Sequence, residues 1–352
     1  MKAKFLSAFE VACEQNASDL HLSTGRVPYI RVDGVLVPLS DPPVLDHEIK
    51  LMAQSVIHAD LMESYLVNES GDYSAEIEAG GVLRRVRVNF YRHHFGPAAA
   101  IRILPQHVQS LEDIGAPALL SELAQAPRGL VLVCGPTGSG KSTTLNGMVH
   151  HINTTQQRHV LTLEDPIELI HTSARGLIHQ REIGKDTPTF QAGLRDALRE
   201  DPDVIVVGEM RDLETIRLAL TAAETGHLVL GSVHTMSAPK AVDRIIDVFP
   251  ESEKGAVRMI LSESIQAVIS QVLLKRVDGP GRVAAHEIMV ATPAIRNLIR
   301  EGRTESMRSV LATGKTEGMK TLDQDLQNLL TSKRIDREAA LALAQDRTFF
   351  NR

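Results

Sequence analysis

The run Gly135, Pro136, Thr137, Gly138, Ser139, Gly140, Lys141, Ser142, Thr143 has the spacing G-x-x-x-x-G-K-S of a loop built to wrap phosphate. Glycines at 135, 138 and 140 allow positive φ and let the backbone come close to an anion. The loop's N–H groups, with the positive end of a following helix, then face the phosphates. Lys141 brings charge to the terminal phosphates, and the Ser142 hydroxyl is the expected Mg²⁺ ligand. An apolar, β-branched run enters at Gly129 and a helix-compatible segment leaves, so the strand–loop–helix context is right. The chemistry implied is binding of ATP or a similar triphosphate with Mg²⁺.

Hydrolysis needs further groups at the carboxyl ends of neighbouring strands. Val204–Val207 ends in Gly208-Glu209-Met-Arg211-Asp212, which puts Glu209 where a Mg²⁺-associated carboxylate sits. His159–Leu163 ends in Glu164-Asp165-Pro166-Ile-Glu168. Two such carboxylates suit a general base and a metal organiser, and spacing does not say which is which. Leu228–Val233 ends in His234-Thr235, a polar group placed to sense a γ-phosphate, although a lone histidine is more often structural. In Arg84-Arg85-Val-Arg87-Val-Asn89, strand alternation puts Arg85 and Arg87 on one face. Such a pair usually marks a solvated surface. Beside a nucleotide domain a second reading opens, because an arginine lent across a subunit interface accelerates phosphoryl transfer by roughly 10³–10⁵.

The elements that must hold these groups fall into two patterns. Residues 2–15 place Phe5, Leu6, Phe9, Ala12 and Cys13 at helical spacing, and Asp19–Leu22 alternates as a strand. A hairpin is expected across Val27–Leu39 about Asp33-Gly34, a helix over 46–67, and strands from Gly71 to Ile103. That makes an α+β domain over 1–105, followed by a linker at 106–117. From Gly129 apolar strands alternate with amphipathic helices, the mark of a parallel α/β sheet in a second domain, 118–352. Expected strands are Leu130–Cys134, His159–Leu163, Val204–Val207, Leu228–Val233, Val272–Leu274 and Arg282–Met289. Asp212 and Thr292 stand as N-caps, Gly226 as a helix stop, and Thr321 with Gln324 as a capping box.

Composition narrows the setting. The 352 residues suit two domains, and the net charge of −6 with no Trp argues against nucleic acid as a partner. Cys13 and Cys134 are the only cysteines, which excludes a disulfide framework or a zinc ribbon and suits a reducing cytosol. The first residues lack the apolar core of a signal peptide, and no window reaches the roughly 20 apolar residues of a membrane span.

Taken together the boxes resemble the secretion ATPases of type II secretion and type IV pili, a branch of RecA-like hexameric motors. The similarity covers nearly the whole chain and is strongest from Arg128 to Glu301. It rests on the loop Gly135–Thr143, the aspartate box Thr162–Glu168, the atypical Walker B run Asp201–Asp212 and the histidine box Thr225–Thr235. The resemblance implies a PAS-like first domain, a RecA-like second domain and a homohexamer. It makes Glu164 the general base, Glu209 the Mg²⁺-associated acid and His234 the γ-phosphate-linked histidine. Arg85 and Arg87 match paired arginines that reach nucleotide in the assembled ring. The string Ala294, Ile295, Arg296, Asn297, Leu298, Ile299, Arg300, Glu301 matches the C-terminal motif of the branch that powers pilus retraction. That branch works at the cytoplasmic face of the inner membrane, at the pilus base. It acts through a membrane platform protein and, in some systems, beside an accessory retraction ATPase. Assembly and secretion ATPases usually carry an extra N-terminal domain and a tetracysteine module, for which two cysteines do not suffice. A nucleotide-gated scaffold would not need Glu164, Glu209 and His234 together.

Overall fold

The computed structural model describes residues 2–32, 34–57 and 59–350. They form two compact units: Met1–His107 with Pro166–Ile170, and Val108–Asp165 with His171–Arg352.

The first unit runs α1 (Lys2–Glu14), β1 (Asp19–Ser23), β2 (Tyr29–Val32), β3 (Val35–Pro38), α2 (Asp46–Val56), α3 (Ala59–Asn68), β4 (Gly71–Ala79), β5 (Val82–His93) and β6 (Gly96–Ile103). Its six strands form an antiparallel sheet in the order β3-β2-β1-β6-β5-β4. In the expected turn at 33–34, Asp33 lies outside the described residues, and Gly34 has φ +85°. The single helix expected over 46–67 is two, because Ile57 takes extended backbone and buries its side chain in the core. Along β5, Val86, Val88 and Phe90 are fully buried. Period-two alternation therefore turns Arg85 and Arg87 to the opposite face, as expected.

The second unit opens with α4 (Leu119–Leu123), β7 (Gly129–Cys134), α5 (Lys141–Thr155), β8 (His159–Glu164), β9 (Leu177–Glu182) and α6 (Phe190–Ala197). It continues with β10 (Val204–Val207), α7 (Leu213–Glu224), β11 (Leu228–Val233), α8 (Ala238–Asp247), α9 (Glu251–Ser264), β12 (Ile265–Lys275) and β13 (Arg282–Val290). Four helices close it: α10 (Pro293–Glu301), α11 (Met307–Thr313), α12 (Leu322–Thr331) and α13 (Arg337–Leu343). The seven strands lie in the order β13-β12-β7-β11-β10-β8-β9, parallel except where β13 meets β12. Every residue of β7, β10 and β11 is buried, as strands covered by helices on both faces must be.

Two strands differ from expectation. β9 has the polar sequence Leu-Ile-His-Gln-Arg-Glu and sits at the sheet edge, where neither an apolar run nor clean alternation is required. β12 spans eleven residues instead of three, because the polar Ser270 and Gln271 are buried inside it, Gln271 with both ends of its amide bonded. The caps sit as read. The Asp212 carboxylate accepts from the Thr215 N–H at 3.0 Å, Gly226 stops α7 at φ +120°, and Thr321 and Gln324 close a capping box. Thr292 caps a helix that begins at Pro293, one residue before the expected start. No helix among the described residues is long and apolar enough to cross a membrane.

Candidate functional site

β7 delivers the chain to Gly135 at the middle of the sheet, and α5 carries it away from Gly140. All three loop glycines have positive φ: +149° at Gly135, +79° at Gly138 and +89° at Gly140. A Cβ at Gly135 would stand 2.3 Å from the Gln271 carbonyl oxygen, so only glycine fits there. A Cβ at Gly138 would meet nothing within 4 Å, so the loop is open there and the positive φ is what favours glycine. The α5 N-terminus has no side-chain cap, so its N–H groups remain to serve an anion. These features fit a polyphosphate.

Lys141 begins α5 and is only 8% exposed. Its ammonium donates to the carbonyls of Gly135 (3.0 Å) and Pro136 (3.1 Å) and lies 3.5 Å from His234 Nδ1. Burial lowers its pKa, opposed by the Glu209 carboxylate. On the far side of the ring, His234 Nε2 stands 3.1 Å from Glu209 Oε1. A lysine only donates and a carboxylate only accepts, so the arrangement fits the tautomer with its proton on Nε2 and an accepting Nδ1. Glu209 is also held by Arg211 Nε at 2.5 Å. Burial raises the Glu209 pKa, but the Arg211 hydrogen bond and the neighbouring His234 outweigh it, and the carboxyl sits below its usual range. Lys141, His234, Glu209 and Arg211 thus form one chain across three strand ends.

Two hydrogen bonds at Gly208 fix those ends in register. The Gly208 N–H donates to the Leu163 carbonyl at 2.9 Å, and Ser232 Oγ donates to the Gly208 carbonyl at 2.6 Å. A Cβ on Gly208 would meet the Leu163 carbonyl oxygen at 3.1 Å and the Glu164 Cα at 3.5 Å, which brings the two acidic strand ends side by side. Glu164 Oε1 accepts from Thr162 Oγ1 at 2.6 Å and from Gln180 Nε2 at 3.0 Å. The general-base candidate is therefore held by its own strand and by β9.

Arg85 and Arg87 lie in the first unit with the partners of that unit. Arg85 Nε donates to the Ile167 carbonyl at 2.8 Å, and its guanidinium is 15% exposed. Arg87 makes a 3.2 Å ion pair with Asp72 and is 34% exposed.

α10 sorts the motif Ala294–Glu301 by role. Ile295 and Ile299 are fully buried, and Arg296 donates to the carbonyls of Ala291, Ser262 and Glu263 at 2.9, 2.6 and 2.7 Å. Ser262 and Glu263 end α9, so Arg296 supplies the C-terminal carbonyls of that helix with donors. Ala294, Asn297, Arg300 and Glu301 are exposed. Of the two arginines in the motif, only Arg300 is exposed.

Three residues given no role in the sequence reading support the site: Thr162 and Gln180 against Glu164, and Gln271 against the phosphate loop. Gln180 and Gln271 sit on strands that polar residues disguise. Thr162 was visible as a residue of the aspartate box but not as a hydrogen-bond donor.

The type II/IV secretion system protein family matches residues 3–339. Over 329 residues the chain is 50% identical to the type IV pilus retractation ATPase PilT of Pseudomonas aeruginosa, covering 94% of both chains. It is 53% identical over 319 residues to a twitching motility protein of Neisseria gonorrhoeae, covering 91% of this chain and 84% of that one. Among solved structures, that of the pilus retraction motor PilT with bound ADP is similar at a TM-score of 0.89 and 41% identity, over 98% of each chain.

Proposed function

This chain belongs to the type II/IV secretion system protein family, and on that premise we propose that it hydrolyses ATP to power retraction of a type IV pilus. The observation that carries the reading is the convergence of Lys141, His234 and Glu209 beside an uncapped, glycine-lined helix start, with Glu164 on the adjoining strand.

Gly135–Thr143 wraps the phosphates, with Lys141 exchanging its loop carbonyls for phosphate oxygens. The exposed Ser142 hydroxyl and the ionised Glu209 would hold Mg²⁺, partly through water, and the ion would supply positive charge at the phosphate oxygens. Glu164 is the general base toward water, its orientation set by Thr162 and Gln180. His234, held between Lys141 and Glu209, responds to a γ-phosphate because any oxygen drawing Lys141 away removes the donor at Nδ1. Domains 1–105 and 118–352, joined by 106–117, are read as PAS-like and RecA-like. The chain works as a homohexamer in which Arg85 and Arg87 serve a neighbouring subunit's nucleotide. The ring sits at the cytoplasmic face of the inner membrane and acts on a platform protein at the pilus base, with an accessory retraction ATPase as a further partner and no nucleic acid.

Deleting the gene tests the direction of work. Cells with more surface pili and no twitching support retraction, whereas bald cells would assign the chain to assembly.

The sorting of α10 makes a finer prediction. Arg300→Ala is expected to keep ATP turnover within about twofold of wild type and to stop retraction, since its guanidinium is exposed and bonded only weakly, at 3.4 Å to Asn297. Arg296→Ala is expected instead to lower the melting temperature by several degrees, because three carbonyls lose a charged donor worth about 1–3 kcal/mol. Piliated, twitching cells carrying Arg300→Ala would remove the motif from the retraction step.

A further inference from the structure

We infer that Gln271 is the positioning residue that sets which way the phosphate loop presents the Gly140 N–H. The inference rests on reading Gly135–Thr143 as the nucleotide site.

Gln271 lies on β12, next to β7 in the sheet, and is 1% exposed. Its Oε1 accepts from Thr144 Oγ1 at 2.8 Å, and its Nε2 donates to the Ser139 carbonyl at 2.7 Å. The Ser139 carbonyl can only accept, which settles the amide's orientation: nitrogen toward Ser139, oxygen toward the Thr144 hydroxyl, which therefore donates. In a planar trans peptide the Ser139 C=O and the Gly140 N–H point in opposite directions. Pinning the carbonyl on β12 therefore aims the N–H away from β12, toward the open side of the loop. Gly140 stands at φ +89° without a Cβ, so this peptide has little steric resistance to turning over. A turned peptide would point an oxygen at a phosphate where a donor is required. Gln271 supplies the restraint that glycine cannot, and through Thr144 it ties that restraint to the first turn of α5.

The test uses the full chain, ADP with Mg²⁺ as the probe, and the melting temperature measured alongside. Gln271→Glu keeps the shape but sets a carboxylate oxygen against the Ser139 carbonyl, and Gln271→Met keeps the volume with neither bond. Both are expected to weaken ADP binding about tenfold or more and to raise the KM for ATP more than they lower kcat, with melting within a few degrees of wild type. Thr144→Ser should bind like wild type because the hydroxyl is retained, whereas Thr144→Val should lose only a few-fold because the Ser139 bond survives. Folded Gln271 variants that bind ADP within twofold of wild type would overturn the inference and leave the nucleotide site standing. Failure of both variants to fold would overturn it as well, making Gln271 a general core strut. If the wild-type chain itself binds no ADP, the nucleotide reading falls instead.

Discussion

Glu164→Gln is expected to lower ATP turnover by about 10²–10⁴-fold while nucleotide affinity stays within a few-fold of wild type. The substitution is nearly isosteric. The amide oxygen can still accept from Thr162 Oγ1 and Gln180 Nε2, which now hold Glu164 Oε1 at 2.6 and 3.0 Å. What disappears is the capacity to take a proton from water. Steady-state hydrolysis at saturating ATP, set against binding of a fluorescent ADP, separates the two quantities. Wild-type turnover in this variant would move the base elsewhere. Glu209→Gln provides the contrast. Its carboxylate is kept ionised by Arg211 and His234, which hold it as an acceptor and suit it to a metal rather than to taking a proton from water. Its lost turnover should therefore recover in part as Mg²⁺ is raised, and that of Glu164→Gln should not. The same response in both variants would undo the division of roles.

That division was only half legible in the chain. The strand ends could be read because β8, β10 and β11 are apolar runs closed by Glu164, Glu209 and His234, and the sheet puts such ends side by side. Which groups hold the acids and the phosphate loop could not. Gln180 comes from an edge strand with no apolar signature, and Gln271 from the middle of a strand recognised only in its last part. A buried glutamine looks like a strand breaker until its partners are known, and those partners are a loop carbonyl and a hydroxyl far back in the sequence. Pro166–Ile170 shows the same limit. The aspartate box reads as one motif, yet its second half belongs with the first compact unit, where the Ile167 carbonyl accepts from Arg85. In α10 the motif string gives no sign that Arg296 turns back to the end of α9.

The proposal for the arginines leads to the second large effect. Arg87→Ala is expected to cut hydrolysis by about 10³-fold or more, while ATP binding by separate subunits is preserved. Its present partner does not preclude the role. Asp72 is 48% exposed, and a solvent-screened pair of that kind is worth about 0–1 kcal/mol, little enough to exchange for a phosphate. Arg85, more enclosed and donating to a backbone carbonyl, is better suited to hold β5 in place beside it. Whether Arg87 works across an interface can be decided by mixing two inactive proteins. Lys141→Ala lacks the phosphate lysine but keeps Arg87, and Arg87→Ala keeps a complete loop. If the arginine is lent by a neighbour, mixed rings contain whole sites, and activity should rise well above that of either protein alone. If it acts within its own subunit, no mixed ring contains a whole site and the mixture stays inactive. An inactive mixture whose subunits exchange freely would confine Arg87 to its own chain, and the hexamer would then owe its activity to something other than shared arginines.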